Sequence, residues 1–180
     1  MLPPINSISG FSPERSPYRV ALDALVQRYA TSEKRQKILG GFLCYRAELH
    51  AIGLVRGFQW LDGSFLEQVE VLENRPPNDM DVVTFSYMPT DESQETLLSK
   101  NSRLFNPRTS KTDYWVDGYV TFLGPDELES LVERMTYWYS LWSHRRNQAW
   151  KGFLQIDLAP DKDANAKEIL NAIENNGDHP

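Results

Sequence analysis

Residues 60–65 read Trp-Leu-Asp-Gly-Ser-Phe and residues 78–83 read Asn-Asp-Met-Asp-Val-Val, and these two stretches decide the predicted fold. The first has the pattern of a strand that ends in a tight Gly-Ser turn and leads into a helix. The second has the pattern of a turn that opens into an inner strand, with two carboxylates at its start. We therefore expect a sheet backed by helices, with an acidic cleft at the strand ends.

The two carboxylates of the second stretch are Asp79 and Asp81. Because side chains alternate between the faces of a strand, both are expected on one face, with Met80 on the other. Like charges at this spacing repel each other unless a cation lies between them, and Mg²⁺ is the usual partner of carboxylate oxygens. In the first stretch, Gly63 would let the backbone approach a ligand, and Ser64 would begin a helix whose free N–H groups favour a phosphate.

Composition and length limit the classes of protein to consider. A chain of 180 residues, of which 41% are hydrophobic and 24% charged, has the size of one domain with a sizeable core. The sequence has no apolar run long enough for a membrane span, no signal peptide pattern and one cysteine, Cys44, so we expect a cytoplasmic protein. The net charge of −6 argues against broad binding to nucleic acid but permits a small nucleotide held through a metal ion.

The periodicity of the chain predicts alternating helices and strands. Helices are expected over residues 18–29, 32–56, 65–72, 92–103, 127–142 and 161–175, and strands over 58–61, 81–87, 114–123 and 152–158. In the longest helix, Ser32 or Thr31 is the expected N-cap and Gly57 the expected residue after the C-terminus. In the helix over 127–142, the expected buried residues are Leu128, Leu131, Val132, Met135, Trp138 and Tyr139.

These elements predict an α/β (α+β) fold: a small mixed sheet with helices packed mainly on one side. The chain divides into an N-terminal arm (1–16), the domain itself (17–160), and a C-terminal helix with a frayed tail (161–180).

A third carboxylate, Asp117, interrupts a strand that is otherwise apolar, on the same predicted face as Trp115 and Tyr119. A carboxylate in a central strand is costly unless it is paired or binds a metal ion. Asp157 is an alternative third acid. We prefer Asp117 because its strand follows directly after that of Asp81.

Together, the Gly63-Ser64 turn, the pair Asp79-x-Asp81 and Asp117 on a later strand resemble the core of the nucleotidyltransferase superfamily. Fourteen residues separate Ser64 from Asp79, slightly more than the family pattern has, and the proline-rich loop before Asp79 can absorb the excess. In detail, the runs 61–65, 77–81, 114–117 and 151–152 resemble an uncharacterised group of small bacterial nucleotidyltransferase-like proteins. This resemblance covers roughly residues 35–157, and that group has no settled activity.

The resemblance implies Mg²⁺-dependent transfer of a nucleoside monophosphate from an NTP to a hydroxyl of a protein, RNA, small molecule or nucleotide, with release of pyrophosphate. The residues that it implies as catalytic and as ligands of two Mg²⁺ ions, for which Mn²⁺ can substitute, are Asp79, Asp81 and Asp117. The implied phosphate-binding residues are Gly63, Ser64, Arg75 and Lys151. The resemblance also suggests a bacterial defence or toxin–antitoxin setting with a protein partner encoded nearby, and no membrane.

Other interpretations stay open at this point. Asp79 is also a residue that turns favour. Two basic stretches fit solvated loops somewhat better than a phosphate-binding role: Arg145, Arg146 and Lys151, and Lys100, Arg103, Arg108 and Lys111. A catalytically inactive nucleotide-binding or antitoxin-like interaction protein would keep the same fold. A metal-dependent phosphohydrolase would need further His or Asp ligands.

Overall fold

Five β-strands form one mixed sheet in the computed structural model, which describes residues 2–5, 9, 11–89, 92–124 and 128–177. The strands are β1 (Tyr18–Arg19), β2 (Gly57–Asp62), β3 (Met80–Tyr87), β4 (Val116–Leu123) and β5 (Leu154–Asp157). Their order is β1-β5-β2-β3-β4, in which β2 runs antiparallel to both neighbours and the pairs β1–β5 and β3–β4 are parallel. The predicted mixed α/β fold is confirmed.

Seven α-helices occur in the described part of the chain: α1 (Leu22–Tyr29), α2 (Glu33–Ala51), α3 (Val69–Leu72), α4 (Gln94–Lys100), α5 (Pro107–Tyr114), α6 (Leu128–Trp142) and α7 (Asp163–Gly177). Helices α1, α2, α5 and α7 contact one another on one face of the sheet, where Tyr45 of α2 packs against Gly118. Helix α6 covers the opposite face, where Trp138 packs against Tyr119 with 4.7 Å between ring centroids. None of the described helices is long and apolar enough to cross a membrane.

Helix α2 ends at Ala51, earlier than predicted. Gly53, with φ of 87°, lies just beyond this end, and its N–H donates to the carbonyl of His50 at 2.9 Å. The prediction that Gly57 follows the helix is therefore wrong. Gly57 begins β2 instead, because its backbone lies so close to the Phe85 carbonyl of β3 that any side chain would overlap that carbonyl.

The sequence analysis missed helix α5, which leads into β4. The Asn106 side chain caps this helix by accepting the N–H of Arg108 at 2.9 Å, and Pro107 is its first residue. Trp115 ends the helix in the left-handed conformation, with φ of 58°. The observed strand therefore begins at Val116, two residues later than the predicted strand 114–123, and Trp115 does not share a strand face with Asp117.

The apolar residues of α6 are only partly buried. Trp142 is buried, and three further residues pack half-buried against the core: Leu131, Met135 and Trp138. Leu128 and Val132 are each 63% exposed. Tyr139 is 38% exposed. The prediction that these three residues are buried is wrong, because the helix touches the sheet along a narrow stripe at three- and four-residue steps.

Candidate functional site

Three carboxylates lie side by side across the sheet. Asp62 is opposite Asp81 in the β2–β3 pairing, and Asp81 is opposite Asp117 in the β3–β4 pairing. Cross-strand partners project to the same face, so all three acids lie on the face that α6 covers. Tyr119, two residues after Asp117, marks this face through its contact with Trp138.

Asp79 lies just before β3 and is paired with a lysine from α5. The Lys111 ammonium forms an ion pair with Asp79, and it lies 4.0 Å from Asp117 Oδ2. Asp79 is buried, whereas the Lys111 side chain is 51% exposed. The hydrogen bond to Asp79 raises the pKa of Lys111. A protonated amine therefore lies beside two of the three carboxylates that the sequence singles out.

The Gly63-Ser64 turn follows β2 as predicted, but a full helix does not follow it. A 3₁₀ turn (Ser64–Leu66) and the single turn of α3 take the place of the predicted helix over 65–72. Gly63 has φ of 87°, and a Cβ atom there would overlap the carboxylate of Asp81. In this structure, the missing side chain of Gly63 makes room for Asp81.

Changing Gly63 to Ala is expected to destabilise the fold by about 1–3 kcal/mol, because the new methyl group displaces the Asp81 carboxylate and the backbone conformation favours glycine. Urea denaturation measures the loss. The matched control is Gly124→Ala, where a Cβ meets no atom of the described residues within 4 Å and little change is expected. Equal effects of the two substitutions would contradict this explanation.

Lys151 is directed at Asp62 and is buried. Its Nζ atom donates to both carboxylate oxygens of Asp62 at 2.8 Å and lies 3.3 Å from Glu67 Oε1. Burial raises the pKa of Asp62 to about 6, against the opposing effects of Lys151 and the Gly63 N–H. The ammonium of Lys151 is thus already engaged by Asp62. Its phosphate-binding role stays a prediction.

A row of alternating charges continues from this pair toward the mouth of the cleft. Arg145 lies 2.7 Å from Glu67 Oε2 and 2.8 Å from Glu73 Oε1. Arg75, a predicted phosphate-binding residue, is 2.7 Å from the other oxygen of Glu73. The neighbouring Arg146 is exposed and has no ion pair within the described residues. This row attaches the loop after α6 to the segment that follows β2.

All these groups line one cleft of about 550 Å³. The pKa of Asp81 is raised to about 7, first by burial and then by the negative charges of Asp79, Asp62 and Asp117, with Lys151 opposing. The cleft is thus acidic at the sheet, whereas at its mouth Arg75 and Arg145 are paired with Glu73 and Glu67 and the exposed Arg146 adds a positive charge. That arrangement suits a ligand with a cation at one end and phosphates at the other.

The structure brings every predicted site residue to this cleft: Gly63, Ser64, Arg75, Asp79, Asp81, Asp117 and Lys151. The alternative acid, Asp157, lies at the other end of the sheet, opposite Phe58, and accepts the N–H of Ala159 at 2.8 Å. Sequence reasoning missed Asp62 and Glu67, and it gave Lys111 no distinct role. The signal for Asp62 was its place directly before the Gly-Ser turn.

The ligand chemistry of the cleft fits a hard divalent cation, because carboxylate oxygens are its most abundant donors, and burial together with the neighbouring negative charges raises the pKa of Asp81. Among the described residues, no three His, Cys, Asp or Glu side chains stand grouped as a metal site. The ammonium of Lys111 lies beside two of the candidate ligands, Asp79 and Asp117.

The chain belongs to a family of unknown function, DUF6932, whose model matches residues 1–157. No curated protein and no solved structure matches it. The family match includes all five strands and every residue of the cleft described above. Family membership brings no activity with it, so an assignment has to come from the chemistry of the cleft.

Proposed function

We propose that this chain is a metal-dependent nucleotidyltransferase, which moves a nucleoside monophosphate from an NTP to a hydroxyl acceptor in the cytoplasm. One observation carries the proposal: Asp79, Asp81 and Asp117 line a single cleft together with the Gly63-Ser64 turn. The turn follows β2, the acid pair lies at the start of the adjacent β3, and the third acid lies on β4. This order agrees with the resemblance.

Within this proposal, Asp79, Asp81 and Asp117 hold Mg²⁺, since their oxygens suit it and their charges are only partly balanced. Bound Mg²⁺ would neutralise charge on the attacking and leaving oxygens of an in-line displacement. Lys151 keeps Asp62 paired and offsets part of the negative charge that this fourth carboxylate adds beside Asp81.

The proposed transfer is an in-line displacement, in which the remaining side chains of the cleft accept a proton and orient the substrates. The acceptor hydroxyl oxygen forms a bond to the α-phosphorus, the bond from that phosphorus to the bridging oxygen breaks, and pyrophosphate leaves with the electron pair. We assign the hydroxyl proton to Asp117, which lies on the edge strand with 24% of its side chain exposed. Arg75 and Arg146 at the cleft mouth are placed to meet the phosphates.

The test is incubation of the purified chain with each α-³²P-labelled NTP and Mg²⁺ or Mn²⁺, with products resolved by gel electrophoresis and thin-layer chromatography. Label is expected on protein, RNA or a new nucleotide, and it should be lost in Asp79→Ala/Asp81→Ala and in Asp117→Ala. Asp157→Ala is the matched control and should keep transfer, because this acid lies outside the cleft. Transfer that survives in Asp79→Ala/Asp81→Ala or in Asp117→Ala would contradict the proposal.

A second candidate function is a catalytically inactive nucleotide-binding or antitoxin-like interaction protein. The ion pairs of Lys111 with Asp79 and of Lys151 with Asp62 favour it, because both supply positive charge to the acids from within the chain. Binding of an NTP without transfer of label, lost in Asp79→Ala/Asp81→Ala, would favour this candidate over the enzyme.

A further inference from the structure

Lys111 is held in place by its helix, although its side chain is half exposed. The preceding residue, Ser110, is fully buried, and its hydroxyl accepts the N–H of Gly118 at 3.3 Å. Gly118 directly follows Asp117 on β4. On its other side, α5 packs so closely against α2 that a side chain at Gly41 would overlap the carbonyl of Tyr114. These contacts fix the Lys111 backbone near Asp117.

The negative charges of the aspartates in the cleft are only partly balanced by lysines. Four aspartates lie together: Asp62, Asp79, Asp81 and Asp117. Lys151 is paired with the first and Lys111 with the second, so four negative charges and two positive charges leave two negative charges. The glutamates of the cleft have arginine partners of their own. One divalent cation matches the two negative charges that remain on the aspartates, and the exposed Arg146 adds one positive charge elsewhere in the cleft.

We infer that Lys111 takes the place of one of the two divalent ions expected from the resemblance, so that the chain binds one divalent ion. This inference rests on the proposed function. The ammonium of Lys111 already provides Asp79 with a cation and lies within 4.0 Å of Asp117, whereas Asp81 has no ion pair among the described residues. The single ion therefore belongs at Asp81, with Asp79 and Asp117 as neighbouring ligands.

An exposed lysine fits this role better than a buried one. Its ammonium stays accessible to a bound nucleotide while it is paired with Asp79. Lys34 is a second nearby cation, but it lies over the ring of Trp115, 3.3 Å from the centroid. Lys111 alone among the described lysines and arginines forms an ion pair with Asp79 or Asp117.

The experiment counts Mn²⁺ ions bound to the nucleotide-free protein by electron paramagnetic resonance, at about pH 8 so that the carboxylates are ionised. The wild type is expected to bind one ion per chain, and Lys111→Met two. The matched control, Lys162→Met, removes a lysine that is also exposed, follows β5 and contacts Asp161 outside the cleft, and this variant should bind one ion. Adding Asp117→Asn to Lys111→Met should remove the second ion.

The outcomes separate this inference from the proposed function. Two ions in the wild type, or a single ion in Lys111→Met, would overturn the inference and leave the enzyme proposal standing. No ion in either protein would overturn the proposed metal site itself. Melting curves of the variants confirm that each is folded, which is expected because Lys111 is half exposed.

Discussion

Replacing Arg46 by Met is expected to lower the free energy of unfolding by about 3–5 kcal/mol. Arg46 is fully buried within α2, and its guanidinium donates to both carboxylate oxygens of Asp163 at 2.8 and 2.7 Å and to Gln59 Oε1 at 2.7 Å. Methionine fills similar apolar space but leaves the Asp163 carboxylate and Gln59 Oε1 without their donor. Removing a single partner is the costly way to break a buried ion pair.

The loss should be measured by urea denaturation, with Arg56→Met as the control. Arg56 is exposed and lies 4.4 Å from the ring centroid of Tyr87, so its replacement should cost less than about 1 kcal/mol. Similar losses for the two variants would show that the Arg46 network is not a major source of stability. The network matters for the architecture because it ties α2 to β2 and to the first residue of α7.

The strands that could be predicted from the sequence are those next to residues that are typical of turns. Strands β2 and β3 were found within one residue at each end, because Gly63 closes the first and the Pro76-Pro77 loop precedes the second. Strand β1 was missed because two residues carry no periodicity. Helix α5 was missed because its residues are mostly polar, and only the Asn106 cap and Pro107 mark its start.

The site residues likewise divide into those that a local sequence pattern indicates and those that only the fold brings together. Asp79, Asp81 and Asp117 could be singled out, because a short spacing and a charge in an apolar strand are visible locally. The pairing of Lys151 with Asp62 joins residues 89 positions apart, and no pattern in the sequence indicates it. The contact of Lys111 with Asp79 depends on α5, which the sequence analysis missed.

Replacing Asp81 by Asn is expected to lower the proposed nucleotidyl transfer by a factor of about 10³ or more, and at the same time to stabilise the metal-free fold at high pH. The pKa of Asp81 is about 7 in the folded protein, against the ordinary 3.8. The folded state therefore binds more protons than the unfolded state between these values, and stability falls as pH rises through this window. Asparagine does not titrate, so the variant should lack this fall.

The comparison is made by urea denaturation without divalent ions. At about pH 8, Asp81→Asn should be more stable than the wild type by on the order of 2–3 kcal/mol, and at about pH 4 the difference should vanish. Asp62 contributes a fall of the same sign, but it does so in both proteins, and the difference between them isolates Asp81. Asp161→Asn, at a 64% exposed carboxylate, is the control and should match the wild type.

Addition of Mg²⁺ should then reverse the order at about pH 8. A cation that binds the ionised Asp81 stabilises the folded wild type through its binding free energy, whereas Asp81→Asn gains little. A stability difference between Asp81→Asn and the wild type that does not grow between pH 4 and 8 without metal, or a gain of stability from Mg²⁺ that is as large in Asp81→Asn as in the wild type, would contradict this explanation. The physical reason is that the four neighbouring aspartates lower the stability of the metal-free fold, and a bound cation restores that stability. Such a cost is expected of a carboxylate kept for binding, since a merely structural one would be paired within the chain.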